Sequence, residues 1–504
     1  MQAEYLLFFF FVFSFLFRAF PRILFKKVNN TDTYFHLYLI DFLKENGSSE
    51  MIERERFARP FVIGYPWLLH RVISFFPRAS FSYIERFFNP LFDSIFAVVF
   101  VLFGIQLGVD IPTLVLGGII YLFTPLTFSN FGTGPRVTTF TPRLFGEVIG
   151  GCSFFCLYLY YFTGQVWYLV AAVALSSILY MTSKFSVQAL VFINVSLSIV
   201  TFRLEPLLVI FLSFLLCMAY TKGFYLKLLH QHLGHLKVYL QEVLAGRVPI
   251  SERNNFKILW DHIRSGNWKK AFIHLLIFNS YFAVIYKSPI LVLAIYAMWF
   301  SFGSIGDYIF IAAGIVFLLT SLKWFLFIGE AERYLNYILF FPILSVLLSD
   351  LFSLWVYGVI IAYGALYYFV DIYVLYTKSS KFGGDQNDRF IDYLKGIKEK
   401  KNIATIPYHL GCWRVVYETQ HNWWGPNVFP GNKEEEEKNK LYWVKYPFLN
   451  IETIGQFMSD YKLDCTYLDV SRYKEEVGEV NYPEGTVVED IGDGIVMISN
   501  APKN

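Results

Sequence analysis

Residues 91–109 read LFDSIFAVVFVLFGIQLGV, nineteen positions with one charged group, Asp93. A helix of about 20 apolar residues crosses a hydrocarbon core of roughly 30 Å, so the stretch reads as a membrane span. Apolar runs of this length, or nearly so, recur at 5–24, 111–128, 147–163, 165–181, 185–201, 204–221, 271–286, 289–303, 307–328, 335–349 and 352–376. Lipid offers no hydrogen bonds, so each run must satisfy its own backbone, and a helical bundle follows. The expected fold is an α-helical polytopic membrane protein with about 11–13 transmembrane helices. The alternation of a membrane barrel is absent.

Composition agrees. Hydrophobic residues make up 55% of the 504, and mean hydropathy is +0.44. The 55 Phe and 35 Tyr suit a lipid-facing surface and its interfaces. A net charge of +3, with cations beside apolar spans rather than in one stripe, argues against nucleic acid. Cys152, Cys156 and Cys217 fall in apolar runs, leaving Cys412 and Cys465 as the one pair that an oxidising compartment would allow to bridge. The run Tyr5 to Phe17 lacks a basic flank and a small-residue cleavage site, and reads as an uncleaved first span.

Two modules result: a membrane module, 1–376, and a soluble α/β domain, 377–504, joined through Lys381-Phe-Gly-Gly-Asp385. In the soluble part, 386–401 and 451–463 read as helices, 404–408 and 465–470 as strands, and 486–499 as a hairpin turning at Gly492-Asp-Gly494. Glu434 to Glu437 is a solvated loop. Polar stretches 25–90 and 129–146 interrupt the membrane module as external loops. A third, 222–270, carries nine Lys or Arg beside helical apolar spacing, an interfacial amphipathic pattern. Its cations place it on the cytoplasmic side, which requires one crossing fewer between 147 and 221 and puts the tail outside. The cations of 25–90, from Lys26 to Arg86, speak against an external position unless that loop binds an anion.

The most informative polar segment is Thr31-Asp-Thr-Tyr-Phe-His-Leu-Tyr-Leu-Ile-Asp41, running on to Glu45-Asn-Gly47 and later Gly64-Tyr-Pro-Trp67. Asp32 stands where the first span reaches the interface, as a helix N-cap or as a reacting carboxylate. In order and approximate spacing, Asp32, Tyr34-Phe35, His36, Glu45-Asn46-Gly47 and Tyr65-Pro66 resemble the first external loop of oligosaccharyltransferase catalytic subunits and their GT-C relatives. The resemblance covers residues 25–70 and is only architectural elsewhere. It implies a membrane glycosyltransferase using a lipid-linked sugar donor, with Asp32 as the catalytic carboxylate and Tyr34 and His36 beside the substrate. In that family the second external loop carries an acidic pair. Here only Glu147 is present, with Arg136 and Arg143, so a divalent ion, Mg or Mn, stays open as cofactor without a full acidic motif to hold it.

Glu330, Arg333 and Tyr334, in Gly329-Glu-Ala-Glu-Arg-Tyr334, lie between apolar runs, where charge is costly and usually functional. Glu330 and Arg333 are three apart and can simply pair; alternatively the planar fork of Arg333 holds a donor phosphate. Lys184 snorkels or meets the same phosphate. The spacings of His230, His232 and His235 do not give an i, i+4 metal pair. His421-Asn-Trp-Trp-Gly425 lacks the Asp of the family's acceptor motif, so acceptor binding is not carried over to it.

The expected function is transfer of a sugar or oligosaccharide from a polyprenyl phosphate or diphosphate to a glycan, lipid or protein acceptor. The chain would lie among membrane lipids in a prokaryotic inner membrane, with site and tail external. A transporter or flippase of lipid-linked saccharides is the rival; it predicts internal repeats, which the two halves do not show.

Overall fold

The computed structural model describes residues 2–24, 31–47, 52–53, 55–129, 139–244, 249–379, 384–408, 410–425, 441–445 and 447–501. Arg136, Lys26, Lys27, Arg54 and the run Glu434 to Glu437 lie outside them.

Five helices are long and apolar enough to cross a membrane, or up to seven spans if each of two bent pairs counts as one. The chain is a multi-pass helical membrane protein. The five lie in α1 (Gln2–Leu24), α4 (Phe81–Gln106), α6 (Pro142–Thr163), α8 (Lys184–Thr201) and α18 (Leu354–Ser379). Shorter apolar helices, α5 (Ile111–Phe123), α7 (Val166–Tyr180) and α15 (Ile305–Thr320), run among them. Local chemistry sets their ends. Asp110 caps α5 through the Thr113 N–H at 3.0 Å, Thr141 caps α6 ahead of Pro142, and Gly164 closes α6 with φ +73°. The tightest packing is between α5 and α18: a Cβ on Gly364 would stand 1.8 Å from the Phe123 carbonyl oxygen.

Buried ion pairs join α1 to α4. Arg18 Nε lies 2.6 Å from Asp93, whose other oxygen accepts from Tyr121 at 2.5 Å, and Arg18 also donates to Thr127 at 2.7 Å. One turn further along α1, Arg22 pairs with Glu85. Asp93, the one charge in the run that decided the fold, is thus a counter-ion.

One end of the bundle collects the polar segments. Leu68 N donates to Met181 O at 3.0 Å, Asn89 to Thr139 O at 2.5 Å, and Asn254 to Ser321 O at 2.8 Å. The opposite end gathers the turns near 107, 164, 203 and 304: Arg203 lies over Tyr161 and Phe103 against Tyr158. The basic stretch 222–270 is at the first end, beside loop 25–90, with Trp67 against Phe224 of α10 (Phe224–Leu244) and Gly64 against Gln231. This corrects the expectation that it lies on the opposite side from loop 25–90. Helices α13 (Ser280–Lys287) and α14 (Pro289–Ser301) are bent against each other by 87°, a broken span or a re-entrant loop. The Ser280 N–H bonds Asn254 Oδ1 at 2.7 Å, which keeps the start of α13 at the same end. The cations of loop 25–90 likewise have partners: Arg56 with Glu45, Arg78 with Asp41 and Glu45, and Arg71 with the Leu43 carbonyl.

The tail begins with α19 (Gly384–Gly396) and builds a five-stranded sheet in the order β4-β3-β7-β9-β8. Strand β3 (Asn402–Ile406) runs parallel to β4 (Asn422–Trp423) and β7 (Cys465–Asp469); β9 (Ile495–Asn500) pairs antiparallel with β7 and with β8 (Thr486–Gly492). Every expected tail element forms within a few residues, while α20 (Cys412–Glu418) was not anticipated. Cys412 and Cys465 are both free, buried thiols. Trp423 and Trp424 fill the tail's cores, and His421 accepts from Lys401 N–H while contacting the Leu394 carbonyl, so this segment is structural.

Helix α2 (Thr31–Asn46) joins the modules. Its Tyr38, Leu39, Phe42 and Leu43 share a core with Phe57, Cys412 and Trp423, while Leu37 and Ile40 pack on Leu69, Ile73 and Phe140. Residues 56–58 also extend the tail sheet beyond β4: Trp423 N donates to Arg56 O and Ala58 N to Trp423 O, both at 3.1 Å. The edge is thereby covered.

This arrangement predicts sidedness. Single cysteines replacing Ala79, Lys257 and Glu484 should react with an impermeant maleimide from one face of sealed vesicles, and those replacing Gln165 and Ser353 from the other. Labelling of Lys257→Cys from the opposite face to Ala79→Cys would restore the charge-based topology.

Candidate active site

The first turn of α2 exposes Asp32. The next residue anchors it: Thr33 Oγ1 accepts from Phe140 N at 3.2 Å, joining the first polar loop to the second. Phe140 stands edge-on to His36 and Phe88 at 6.0 and 5.5 Å, so the two loops meet at one site, as their order along the chain suggested.

Behind Asp32 the wall is neutral. His36 Nδ1 lies 3.0 Å from His70 Nε2, both rings buried. Burial pushes His70 down to about 3, and burial, His70 and Arg143 together hold His36 well below the usual imidazole range. One neutral ring therefore donates to the other. Tyr65 stands edge-on to Phe35 and His70 and hydrogen-bonds Ser183. Burial raises its hydroxyl to about 12, against Arg143 and with Asp32, so it remains a proton donor near neutral pH. The tail closes this wall. Trp413 packs on Phe35 at 4.7 Å and Tyr38 at 5.8 Å, and Arg414 lies 5.2 Å over Tyr34 while bonded to Asp388 and Glu418.

The cations stand at helix starts. Arg143 is in the first turn of α6 and Lys184 opens α8. Among the described residues neither has an acidic side chain within ion-pairing distance. Arg143 is close enough to His36, Tyr65 and Arg333 to act on each electrostatically. Arg333, opening the short helix α16 (Arg333–Asn336), pairs with Glu330, as the spacing allowed. The adjacent acid is committed elsewhere: Glu332 receives both arms of Arg253 at 3.1 and 3.2 Å. Helix starts and uncompensated cations together make a place for an anion.

The structure thus brings Asp32, Tyr34, His36, Arg143, Glu147, Lys184, Glu330 and Arg333 to one end of the bundle. Their access differs. Tyr334 is buried against Phe185 and Phe192, His36 is buried behind Asp32, and Glu147 is buried within reach of Arg333 and Tyr337; these three shape the site from behind. Arg136 lies outside the described residues. Sequence reading missed His70, Arg253 and the tail's Trp413. Their partners are 34, 79 and hundreds of residues away, and only an interior His between Leu69 and Ile73 gave a hint. Among the described residues no three His, Cys, Asp or Glu side chains converge.

Scanned against known families, the chain matches no family model, and it has no significant match among curated proteins.

The histidine pair predicts a pH dependence. His70 is neutral in the folded state until about pH 3, whereas its unfolded counterpart takes up a proton near 6.5, so stability falls as pH drops below 6.5. At pH 5 the loss from this ring is about 2 kcal/mol. Tm in detergent should therefore fall more steeply between pH 7 and 5 for the wild type than for His70→Asn.

Proposed function

We propose that this chain is an integral membrane glycosyltransferase of GT-C-like architecture, with eleven crossings. It would transfer a sugar or oligosaccharide from a polyprenyl phosphate or diphosphate to an acceptor at the external face. The observation that carries the reading is the exposed Asp32 carboxylate at the bundle end where, among the described residues, Arg143 and Lys184 have no acid within ion-pairing distance, beside Arg333. The likeness of residues 25–70 to oligosaccharyltransferase loops supports it. The eleven crossings come from following the chain between the two ends, with α13 and α14 as one; they put loop 25–90, stretch 222–270 and the tail together and the N-terminus opposite.

In this reading Asp32 takes the proton of the acceptor nucleophile as that atom bonds the anomeric carbon. The bond from that carbon to the phosphate oxygen breaks, and the electron pair leaves on the phosphate. Arg143 and Arg333 receive the released charge, where a planar guanidinium can bond two oxygens at once. A lipid phosphate is acidic enough to leave without a proton donor, which fits the neutral His36, His70 and Tyr65 wall. No step is assigned to a metal.

A second reading, translocation of lipid-linked saccharides, is favoured by the 87° break between α13 and α14, since transporters use discontinuous helices. Purified protein incubated with polyprenyl-linked sugars and read by mass spectrometry separates the two, because only the transferase forms a new glycoside.

Asp32→Asn should lower transfer by about 10²-fold or more while leaving Tm nearly unchanged, because Asp32 is an exposed first-turn residue of α2 and its side chain can be exchanged without disturbing the core. Normal turnover in that variant would remove Asp32 from the reacting groups. Arg333→Lys should weaken donor binding roughly tenfold despite keeping the charge, since an ammonium cannot make the forked contact. If Arg333 serves only to pair with Glu330, the Lys variant will bind donor normally and Arg333→Gln will lower Tm alone.

A further inference from the structure

Helices α11 (Phe256–Arg264) and α12 (Trp268–Phe278) form a hairpin turning at Gly266, φ +70°, with Asn255 and Asn267 capping their starts. Alone in the membrane module, the pair has almost no interior. No residue of α11 is buried, and in α12 only Ala271 and His274 are. Ile258, Leu259 and Ile263 are half-buried, while the outer side carries Phe256, Trp260, Trp268 and Phe272 at 58, 53, 67 and 60% exposure.

Four aromatic rings left open on two short helices cost too much in water to be a solvent face. The charges among them are four to one positive: Lys257, Arg264, Lys269 and Lys270 against Asp261, all exposed. Arg264 lies 5.3 Å over the Trp260 ring, so cation and aromatic point the same way. The surface continues onto lipid-facing Ile273 and Ile285, and Phe256 stacks on Tyr281 of α13 at 6.5 Å. The hairpin also packs at the end of the bundle that carries loop 25–90, through Asn254 to Ser321, and Asn254 N–H to the Phe278 carbonyl ties its two ends together.

We propose that the α11–α12 hairpin is a docking surface for anionic lipid headgroups, lying in the membrane plane with its rings among the acyl ends of the headgroup region and its cations on lipid phosphates. Aromatic rings favour that depth, and Lys and Arg reach up to the phosphates from it. The inference does not depend on the transferase reading, because none of these residues is in the Asp32 site. It gives the basic stretch 222–270 a role that does not require the cytoplasmic side.

The test uses the full chain in nanodiscs of phosphatidylcholine, alone or with an equimolar amount of phosphatidylglycerol. The wild type is compared with Trp260→Phe/Trp268→Phe, so that the difference in emission reports these two rings among the eleven tryptophans. That difference should be quenched by lipids brominated near the headgroup and little by lipids brominated at the chain end. Energy transfer to dansyl-phosphatidylglycerol should saturate at lower lipid fraction in the wild type than in Lys257→Gln/Lys269→Gln, by about fivefold for each cation removed. Two results would overturn the proposal. One is a difference emission quenched by iodide but not by bromolipid, which would put the rings in water. The other is a difference emission shielded from both, with a particle mass of two chains, which would make the hairpin a contact between copies. Equal affinity for phosphatidylglycerol in both proteins would refute the anionic preference.

Discussion

The structure depends on one helix being buried on two sides. Helix α2 is clamped from both sides, because Tyr38 and Phe42 pack into the tail while Leu37 and Ile40 pack onto α3 (Leu68–Ser74) and the start of α4. Burial of about 1.5–3 kcal/mol for each large apolar side chain makes this a strong joint. Its consequence is chemical. With the body of α2 clamped, its first turn stays fixed, so Asp32 is presented in a constant relation to Arg143 and Tyr65. The Thr33 to Phe140 hydrogen bond fixes the same turn from the other loop.

Charge is distributed by the same economy. Within the bundle three arginines are matched, Arg18 to Asp93, Arg22 to Glu85 and Arg253 to Glu332, while buried Lys287 lies over the Tyr286 ring. A buried charge without a partner is expensive, and each pair also ties two helices that are distant in sequence. Among the described residues Arg143 and Lys184 have no acid within ion-pairing distance, and they stand at helix starts at the Asp32 end. The hairpin of α11 and α12 shows the same surplus on the surface. Both departures occur where an anion can approach, one at the ends of α2, α6 and α8, the other at the headgroup level.

The tail shows how far local pattern carries. Its helix at 384–396, strands at 402–406 and 465–469 and hairpin turning at Asp493-Gly494 were legible because turn residues and period-two alternation are local signals. Helix α20 escaped, having seven residues and no amphipathic period. The Trp-Trp pair at 423–424 is core in the structure. Hydropathy counted 271–286 and 289–303 as two crossings, since a window sees apolar content and not an 87° bend. The charge rule then moved the basic stretch to the wrong end relative to loop 25–90.

What the sequence determined alone is therefore what short-range chemistry controls: helices of apolar composition, a separate α/β tail, and an Asp opening a helix beside the membrane surface. Apolar length and turn residues act over a few positions, so they can be read without knowing the neighbours. The tertiary structure decided which charges are partners and which are left over. Arg333 with Glu330 was readable at three residues' spacing. His36 with His70, Arg253 with Glu332 and Trp413 with Phe35 were not, because side-chain pairing across 34, 79 or more residues depends on helix packing that no local pattern encodes. The uncompensated state of Arg143 and Lys184 has the same origin: it is defined by what does not come near them once the bundle has closed.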